Sequence, residues 1–403
     1  METRDNLVLL EPSAPMVLKP QKTYRRRGSD GLWRQFRAVG DVVHVVCGEG
    51  ESARREVLCA GGALRLGRHA IPIGQVIGSS RYPTAALWQG FLSRSKALRT
   101  TLCRLASAAY SDAPISLRGE SGTGKELAAR ALHSVGHRRG GPFVALNCAA
   151  LPEPLAEAEL FGARRGAYTG ADRDRKGAFE RAHGGTLFLD EVGELAPSIQ
   201  AKLLRALETG EVLPLGGDEP RKVDVRVVSA TWRGLDVDAL DGAFRSDLLH
   251  RLAVLRLDLP ALRKRPADIG PLLEAALDEF NAADLWPDAG VLSLMTAAKW
   301  PGNVRQLRSL AQRAAVWGDP TSLVPSRSES GFRALGPTRN MAPRRARSEP
   351  GLVAHEALEG AGGNRSEAAR RLGVSRSTLY RWLTVDRVAS GAVAVPCHQS
   401  VAG

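Results

Sequence analysis

Gly119-Glu120-Ser121-Gly122-Thr123-Gly124-Lys125 fits the pattern G-x-x-x-x-G-K, and its surroundings decide how it is read. The apolar stretch Pro114-Ile115-Ser116-Leu117 precedes it, and Glu126-Leu127-Ala128-Ala129-Arg130-Ala131-Leu132 follows with helical patterning. Strand, glycine-rich loop and helix in that order make a phosphate cradle. Glycines let backbone N–H groups curl around the anion, the helix N-terminus adds partial positive charge, and Lys125 reaches the outer phosphates. The alternative, a flexible surface turn, accounts for neither flanking element. Glu126 stands where the general pattern has a Ser or Thr for Mg2+.

Working outward, roughly seventy residues later Gly184-Gly185-Thr186-Leu187-Phe188-Leu189-Asp190-Glu191 reads as a buried strand with two carboxylates at its tip. Alone, such a pair is an ordinary solvated strand end. After a phosphate loop, Asp190 is expected to hold Mg2+ and Glu191 to polarise an attacking water, so the two elements together predict nucleotide hydrolysis.

From about 88 to 318, strand-like and helical runs alternate, which predicts an α/β domain with a parallel sheet and a helical lid over about 265–318. Residues 1–87 carry a basic lead with Arg25-Arg26-Arg27 and then short strand patterns with Gly-rich turns, predicting a small β-rich domain. Residues 319–350 hold six arginines against Asp319, Glu329 and Glu349 and repeat few apolar residues, the composition of a basic flexible linker. Short helical segments occupy 351–383, and 384–403 is a small-residue tail.

The 403 residues have 43% hydrophobic and 25% charged content, ordinary globular values that exclude global disorder. No stretch approaches the ~20 apolar residues that span a bilayer, so no membrane partner is expected. Cysteines at 47, 59, 103, 148 and 397 form no disulfide framework, and a reducing cytoplasm is expected. A net charge of +13 favours a polyanionic partner without specifying one.

At this point the residues resemble the sigma-54-dependent transcriptional activators of the AAA+ ATPase superfamily, over about 88–318 and again over 351–383. Gly119 to Glu126 matches that family's P-loop, Glu126 included, and Pro142-Phe143-Val144-Ala145-Leu146-Asn147-Cys148-Ala149-Ala150 resembles its next block. The resemblance makes Asn147 the partner that restrains Glu191 until the nucleotide changes. Glu159-Leu160-Phe161-Gly162 precedes Gly166-Ala167-Tyr168-Thr169-Gly170-Ala171, which corresponds to the loop that grips sigma-54 in this family. Most members have Phe where Tyr168 stands; the ring is retained and a hydroxyl must be placed. Phe244-Arg245-Ser246-Asp247-Leu248-Leu249-His250-Arg251-Leu252 resembles the arginine-finger segment, so Arg245 and Arg251 would reach a neighbouring subunit's γ-phosphate. Trp300-Pro301-Gly302-Asn303-Val304-Arg305-Gln306-Leu307 resembles the lid's nucleotide-sensing element, with Arg305 the sensor and Gln306 where Glu is usual. The largest departure is Trp232 in Ser229-Ala230-Thr231-Trp232-Arg233, where the family has Thr-Asn, so either Thr231 alone senses or the coupling of hydrolysis to loop movement is altered.

Asn364 to Leu383 reads as a helix-turn-helix. Ser366 and Ser375 can cap its helices, Gly373 permits the turn, and Ala369, Leu372, Val374 and Leu379 are spaced to pack them together. The second helix then offers Arg376, Ser377, Thr378, Tyr380 and Arg381 to double-stranded DNA. It resembles the Fis-type domain that ends this family.

Together these readings imply ATP and Mg2+ as ligands and a homo-oligomer between dimer and hexamer. Sigma-54 RNA polymerase and upstream DNA are the implied partners. Two other classes stay open: a DNA-binding regulator whose AAA+ part only oligomerises, and a remodeller of other substrates. For residues 1–87, Leu66-Gly67-Arg68-His69 is similar to the start of a forkhead-associated β-sandwich, but that family's later Ser and His are not placed. The stretch is therefore expected to be an unassigned β domain.

Overall fold

A computed structural model describes residues 7–325, except 13–15, 20–21, 31, 40–41, 48–53, 60, 67–68, 77–80, 83–84, 151 and 169–170; beyond 325 it describes only Leu358, Ala361 and Ala368. The helix-turn-helix expected from Asn364 to Leu383 and the greater part of the linker lie outside the described residues.

The centre is a five-stranded parallel sheet in the order Phe143–Asn147, Thr186–Asp190, Arg226–Thr231, Ile115–Arg118, Leu255–Asp258. The middle strands are apolar along their length because helices cover both faces. Leu187, Leu189 and Val227 pack with Ile199, Leu203, Leu248 and Leu252 on one side. Phe188, Val228 and Ala230 point the other way, to Leu98, Leu102, Ala128 and Leu132. This period-two alternation lets one strand serve two cores. All five strands run in parallel, so their carboxyl ends, where such folds bind ligands, fall along one edge of the sheet.

Arg226 ties the first core together. Only 2% exposed, its guanidinium donates to the carbonyls of Ala108 (2.8 Å), Ala109 (3.0 Å) and Leu132 (3.2 Å). Those carbonyls close the helices Lys96–Ala108 and Lys125–Val135, where orphan acceptors and the negative dipole end suit a cation. Burial lowers the Arg226 pKa to about 10, yet the group stays charged at neutral pH.

The N-terminal part is β-rich, as its short-strand pattern predicts, and its two sheets form a sandwich. One sheet contains Leu7–Leu9, Met16–Val17, Ala63–Leu66, His69–Val76, Ala86–Trp88 and Phe91–Ser93; the other orders Thr23–Arg27, Trp33–Val39, Val42–Cys47 and Arg54–Cys59. Leu7, Leu9 and Ile73 meet Phe36, Val43 and Val45 between the sheets. Val8, Leu10, Ala70 and Trp88 turn outward instead and join the core of helix Lys96–Ala108. The sandwich therefore has no solvated second face at this junction, and its last strand reaches Ser93, past the expected limit at residue 87.

The lid comprises the helices Ile269–Glu279, Ala289–Ala297 and Asn303–Trp317 around fully buried Trp300. The turn Pro320–Leu323 packs under it with Leu323 buried, so the first residues of the segment read as linker from composition are lid core. Composition misses this because one apolar residue is enough to anchor a short turn.

Arg226→Ala should strip the Ala109 and Leu132 carbonyls of their guanidinium donor, while Ala108 O keeps the Ser111 N–H at 3.0 Å, and lower stability by about 3 kcal/mol. Thermal unfolding checks this, with Arg226→Lys expected to recover part of the loss.

Candidate nucleotide site

The strand Ile115–Arg118 runs into the loop 119–124, and the helix Lys125–Val135 starts at Gly124 with no side chain capping its free N–H groups. Gly122 (φ +76°) and Gly124 (φ +105°) supply the left-handed backbone that curls the loop. Lys125 is only 7% exposed; its ammonium donates to the Gly119 carbonyl at 3.1 Å and approaches Glu191 Oε1 at 3.4 Å. The two residues read separately from sequence as phosphate cation and water-activating carboxylate therefore meet. Glu191 holds φ +53° and ψ +46°, a conformation unusual for a residue with a side chain, and strain of this kind concentrates at functional sites. Asp190 accepts the Glu191 N–H at 3.1 Å.

The lid closes on this loop through hydrogen bonds that sequence reading did not anticipate. Asn303 is fully buried at φ +50°; its amide oxygen accepts from Leu262 N–H (2.8 Å) and its amide nitrogen donates to Ser121 O (2.9 Å) and Glu120 Oε2 (3.3 Å). The Val304 N–H donates to Gly122 O at 3.1 Å, and Arg305 Nη1 to Ser121 Oγ at 2.9 Å. A Cβ on Gly122 would collide with the Gly302 carbonyl, so this glycine is required by the lid's approach as well as by its φ. Arg263 pairs with Glu120 at 2.6 Å and holds its carboxyl below the ordinary range. Arg265, which sequence reading did not single out, is 2% exposed; its Nη2 donates to Thr123 O at 3.4 Å and its Nε lacks a hydrogen-bond partner among the described residues.

Two clefts flank the loop. One, about 450 Å³, is largely apolar and includes Phe91, Leu92, Leu127, Phe280, Val304 and Arg305 in its lining. The other, about 750 Å³, carries more ionisable side chains, with Glu120, Ser121, Glu191, Trp232, Arg263 and Lys299 on its walls. An apolar slot, a phosphate loop and a carboxylate in sequence suit a molecule with a flat ring at one end and phosphates at the other. No sequence pattern marks the apolar slot, because Phe91 and Phe280 come from segments almost two hundred residues apart.

Other predicted residues are placed elsewhere. Asn147 ends its strand in register with Asp190, but its amide oxygen accepts the Ala149 N–H (3.0 Å); among the described residues no hydrogen bond joins it to Glu191. Thr231 is buried and its hydroxyl accepts the Arg233 N–H (3.0 Å), while Trp232, 55% exposed, lines the Glu191 cleft in its stead. Glu126 is on the surface with Arg130. Arg245 pairs with Asp247 at 2.8 Å, and Arg251 donates through Nε and Nη2 to Leu207 O at 3.2 and 2.9 Å. Neither arginine lines the clefts of its own chain. Burial pushes the Cys148 thiol up to about 12, so it stays protonated and inert.

The tip read as Gly166 to Ala171 projects from the two-residue strands Gly162–Ala163 and Arg175–Lys176. Gly166 N–H donates to Ala171 O and Ala171 N–H to Tyr168 O, closing the turn on a half-buried Tyr168; Thr169 and Gly170 lie outside the described residues. A second hairpin, Glu211–Val212 with Arg221–Lys222, braces it through Leu215, which exchanges backbone bonds with Gly162 and Arg164.

Comparison with known proteins decides the family. The "Sigma-54 interaction domain" model matches residues 91–258, the "AAA+ ATPase lid domain" 263–339 and "Bacterial regulatory protein, Fis family" 355–384. The transcriptional regulatory protein ZraR of Klebsiella oxytoca is 43% identical over 311 residues, covering 75% of this chain and 70% of that one. The chain belongs to the sigma-54-dependent transcriptional regulators. A further relative in this family is the regulatory protein AtoC of Escherichia coli K12, 42% identical over 311 residues, 73% of this chain and 67% of its own. NtrX from Brucella abortus, solved in complex with ATP, is 32% identical with a TM-score of 0.54, over 73% of this chain and 69% of that one. This sigma-54-dependent regulator therefore carries an AAA+ P-loop core, a helical lid and a Fis-type helix-turn-helix. No helix among its described residues is long and apolar enough to cross a membrane.

Asn303→Ala should loosen the lid and weaken binding of a fluorescent ATP analogue about tenfold or more, since it unpairs buried polar groups on both sides. Unchanged affinity would remove Asn303 from the lid's hold on the loop.

Proposed function

We propose that this regulator hydrolyses ATP and uses the cycle to remodel sigma-54 RNA polymerase from closed to open complex, while its helix-turn-helix holds upstream DNA. The observation that carries the reading is the meeting of Lys125 and Glu191 beside the loop, between a cleft lined by Phe91, Leu127 and Phe280 and one lined by Glu191 and Lys299. In this reading the base sits against Phe91, Leu127, Phe280 and Val304, while the loop N–H groups, Lys125 and Arg305 hold the phosphates. Glu191 leaves Lys125 to take a proton from the attacking water. A single aspartate at the strand tip is the donor set of an ion carried largely on phosphate and water, so Asp190 would hold Mg2+, which when bound neutralises charge on the phosphate oxygens.

Arg245 and Arg251 are proposed to act on the nucleotide of an adjacent subunit in a ring, stabilising charge that spreads over its oxygens. Arg251 gives that contact a mechanical consequence. It caps Leu207 near the end of the helix Pro197–Thr209, which leads straight into the Glu211–Val212 hairpin that braces the Tyr168 loop. Exchanging Leu207 O for a neighbour's phosphate would free the helix end and, through Leu215, shift the loop against sigma-54. Arg376, Ser377, Thr378, Tyr380 and Arg381 would contact DNA, and the assembly would work in the cytoplasm.

Trp232 supports a second reading. A large aromatic in the Glu191 cleft, where a small polar sensor is expected, fits a regulator whose AAA+ part assembles without driving sigma-54. Trapping with ADP and aluminium fluoride separates the two: the first reading expects a stable complex of the chain with sigma-54 only under those conditions. A folded, nucleotide-binding chain that forms none would establish the second.

Lys125→Ala should abolish ATP turnover and leave DNA binding intact; normal turnover would sink the site assignment. Tyr168→Ala should keep turnover within a few-fold of the parent yet lose open-complex formation, measured by permanganate footprinting.

A further inference from the structure

The four-stranded sheet of the N-terminal sandwich turns one face to the sandwich core and one to solvent. Along Trp33–Val39, Arg34, Phe36 and Ala38 are buried while Trp33, Gln35 and Arg37 are exposed. The edge strand Thr23–Arg27 adds Arg25 and Arg27 to that outer face: Arg27 pairs in register with Trp33, Arg25 with Gln35, and Thr23 with Arg37. Arg26 faces the other way and is neutralised by Glu11. Nothing comparable neutralises Arg25 or Arg37, which have no hydrogen-bond or ion-pair partner among the described residues, and no carboxylate shares the face among those residues.

A charged outer face is commonly only a solvated surface. Here an indole, 49% exposed, is set beside Arg27, and Leu32 next to it is 53% exposed. Water penalises a large exposed aromatic, and a ring at a cationic sheet surface is the arrangement on which an unpaired base stacks while neighbouring arginines take the phosphates. Arg37 stands two residues along from the cross-strand partner of Arg25, a diagonal of about 7–8 Å, so the arginines are spread over the face rather than gathered in a single anion pocket. An acidic peptide would satisfy the guanidiniums but offers no plane to Trp33.

We propose that this face binds a single nucleic-acid strand, with backbone phosphates on Arg25 and Arg37 and a base stacked on Trp33. The site is separate from the helix-turn-helix and from the ATP site, so it stands whether or not the remodelling activity does.

The test is fluorescence anisotropy of the full chain with labelled twenty-nucleotide oligothymidylate across a range of salt, a probe that offers no duplex to the helix-turn-helix. Each lost phosphate contact on a single strand lowers the slope of log affinity against log salt by about 0.7, so Arg25→Glu with Arg37→Glu should reduce it by about 1.4. Trp33→Ala should weaken binding by about five- to a hundredfold with the slope unchanged, because stacking releases no counterions. All three side chains are exposed, and circular dichroism checks that the variants remain folded. Unchanged slope and affinity in the double charge reversal would overturn the proposal. So would loss of binding in that variant with no effect of Trp33→Ala and equal competition by polyglutamate, which would make the face a general polyanion surface.

Discussion

Everything at the site depends on the contact between the lid and the loop 119–124. Asn303, Val304 and Arg305 bond directly to Ser121 and Gly122, and Gly122 lacks a side chain because the Gly302 carbonyl occupies that space. The phosphate cradle and the lid hinge are thus one piece of backbone. A change in lid angle must change the curl of the loop, and a ligand filling the loop must be felt along the helix Asn303–Trp317. The lid is fixed at its other end as well. Asp268, fully buried, accepts from the Arg94 and Ser95 N–H groups at 2.6 and 2.7 Å and from Ser95 Oγ at 2.8 Å, where the helix Lys96–Ala108 begins. Nucleotide, lid and the start of the α/β core are therefore mechanically in series.

The legible part of this fold is the part with local chemistry. Glycines at 119, 122 and 124 followed by Lys125 declare a phosphate loop because backbone geometry and charge must lie within a few residues of each other. The run Leu187 to Asp190 declares a buried strand because parallel sheets need apolar residues on both faces. The pairing of Lys125 with Glu191 followed from these two elements, although neither names its distance to the other.

What stayed hidden depends on contacts between distant segments. Asn303 enters the sequence reading only as one residue of the segment Trp300 to Leu307 and proves to be a buried bridge to the loop. Arg265 follows Arg263 and Lys264 in sequence with nothing to set it apart, yet it is almost wholly buried with its guanidinium on Thr123 O. Arg226, in a strand of otherwise small and apolar residues, resembles an error of patterning until its three carbonyl partners at two helix ends are seen. Asn147, which the family resemblance pairs with Glu191, bonds here within its own turn, and the group beside Glu191 Oε1 is the Lys125 ammonium at 3.4 Å.

The shared core between sandwich and helix Lys96–Ala108 has a consequence for how such chains are assembled in evolution. Val8, Leu10, Ala70 and Trp88 bury themselves in the α/β part with no spacer between. A module joined by a tether is exchanged by cutting the tether, and any partner with a compatible fold can take its place. Here the seam is hydrophobic packing, so a replacement sheet would have to reproduce the shape of that surface residue by residue. The sandwich is grafted rather than strung, and exchanging it would mean repacking the core beneath it.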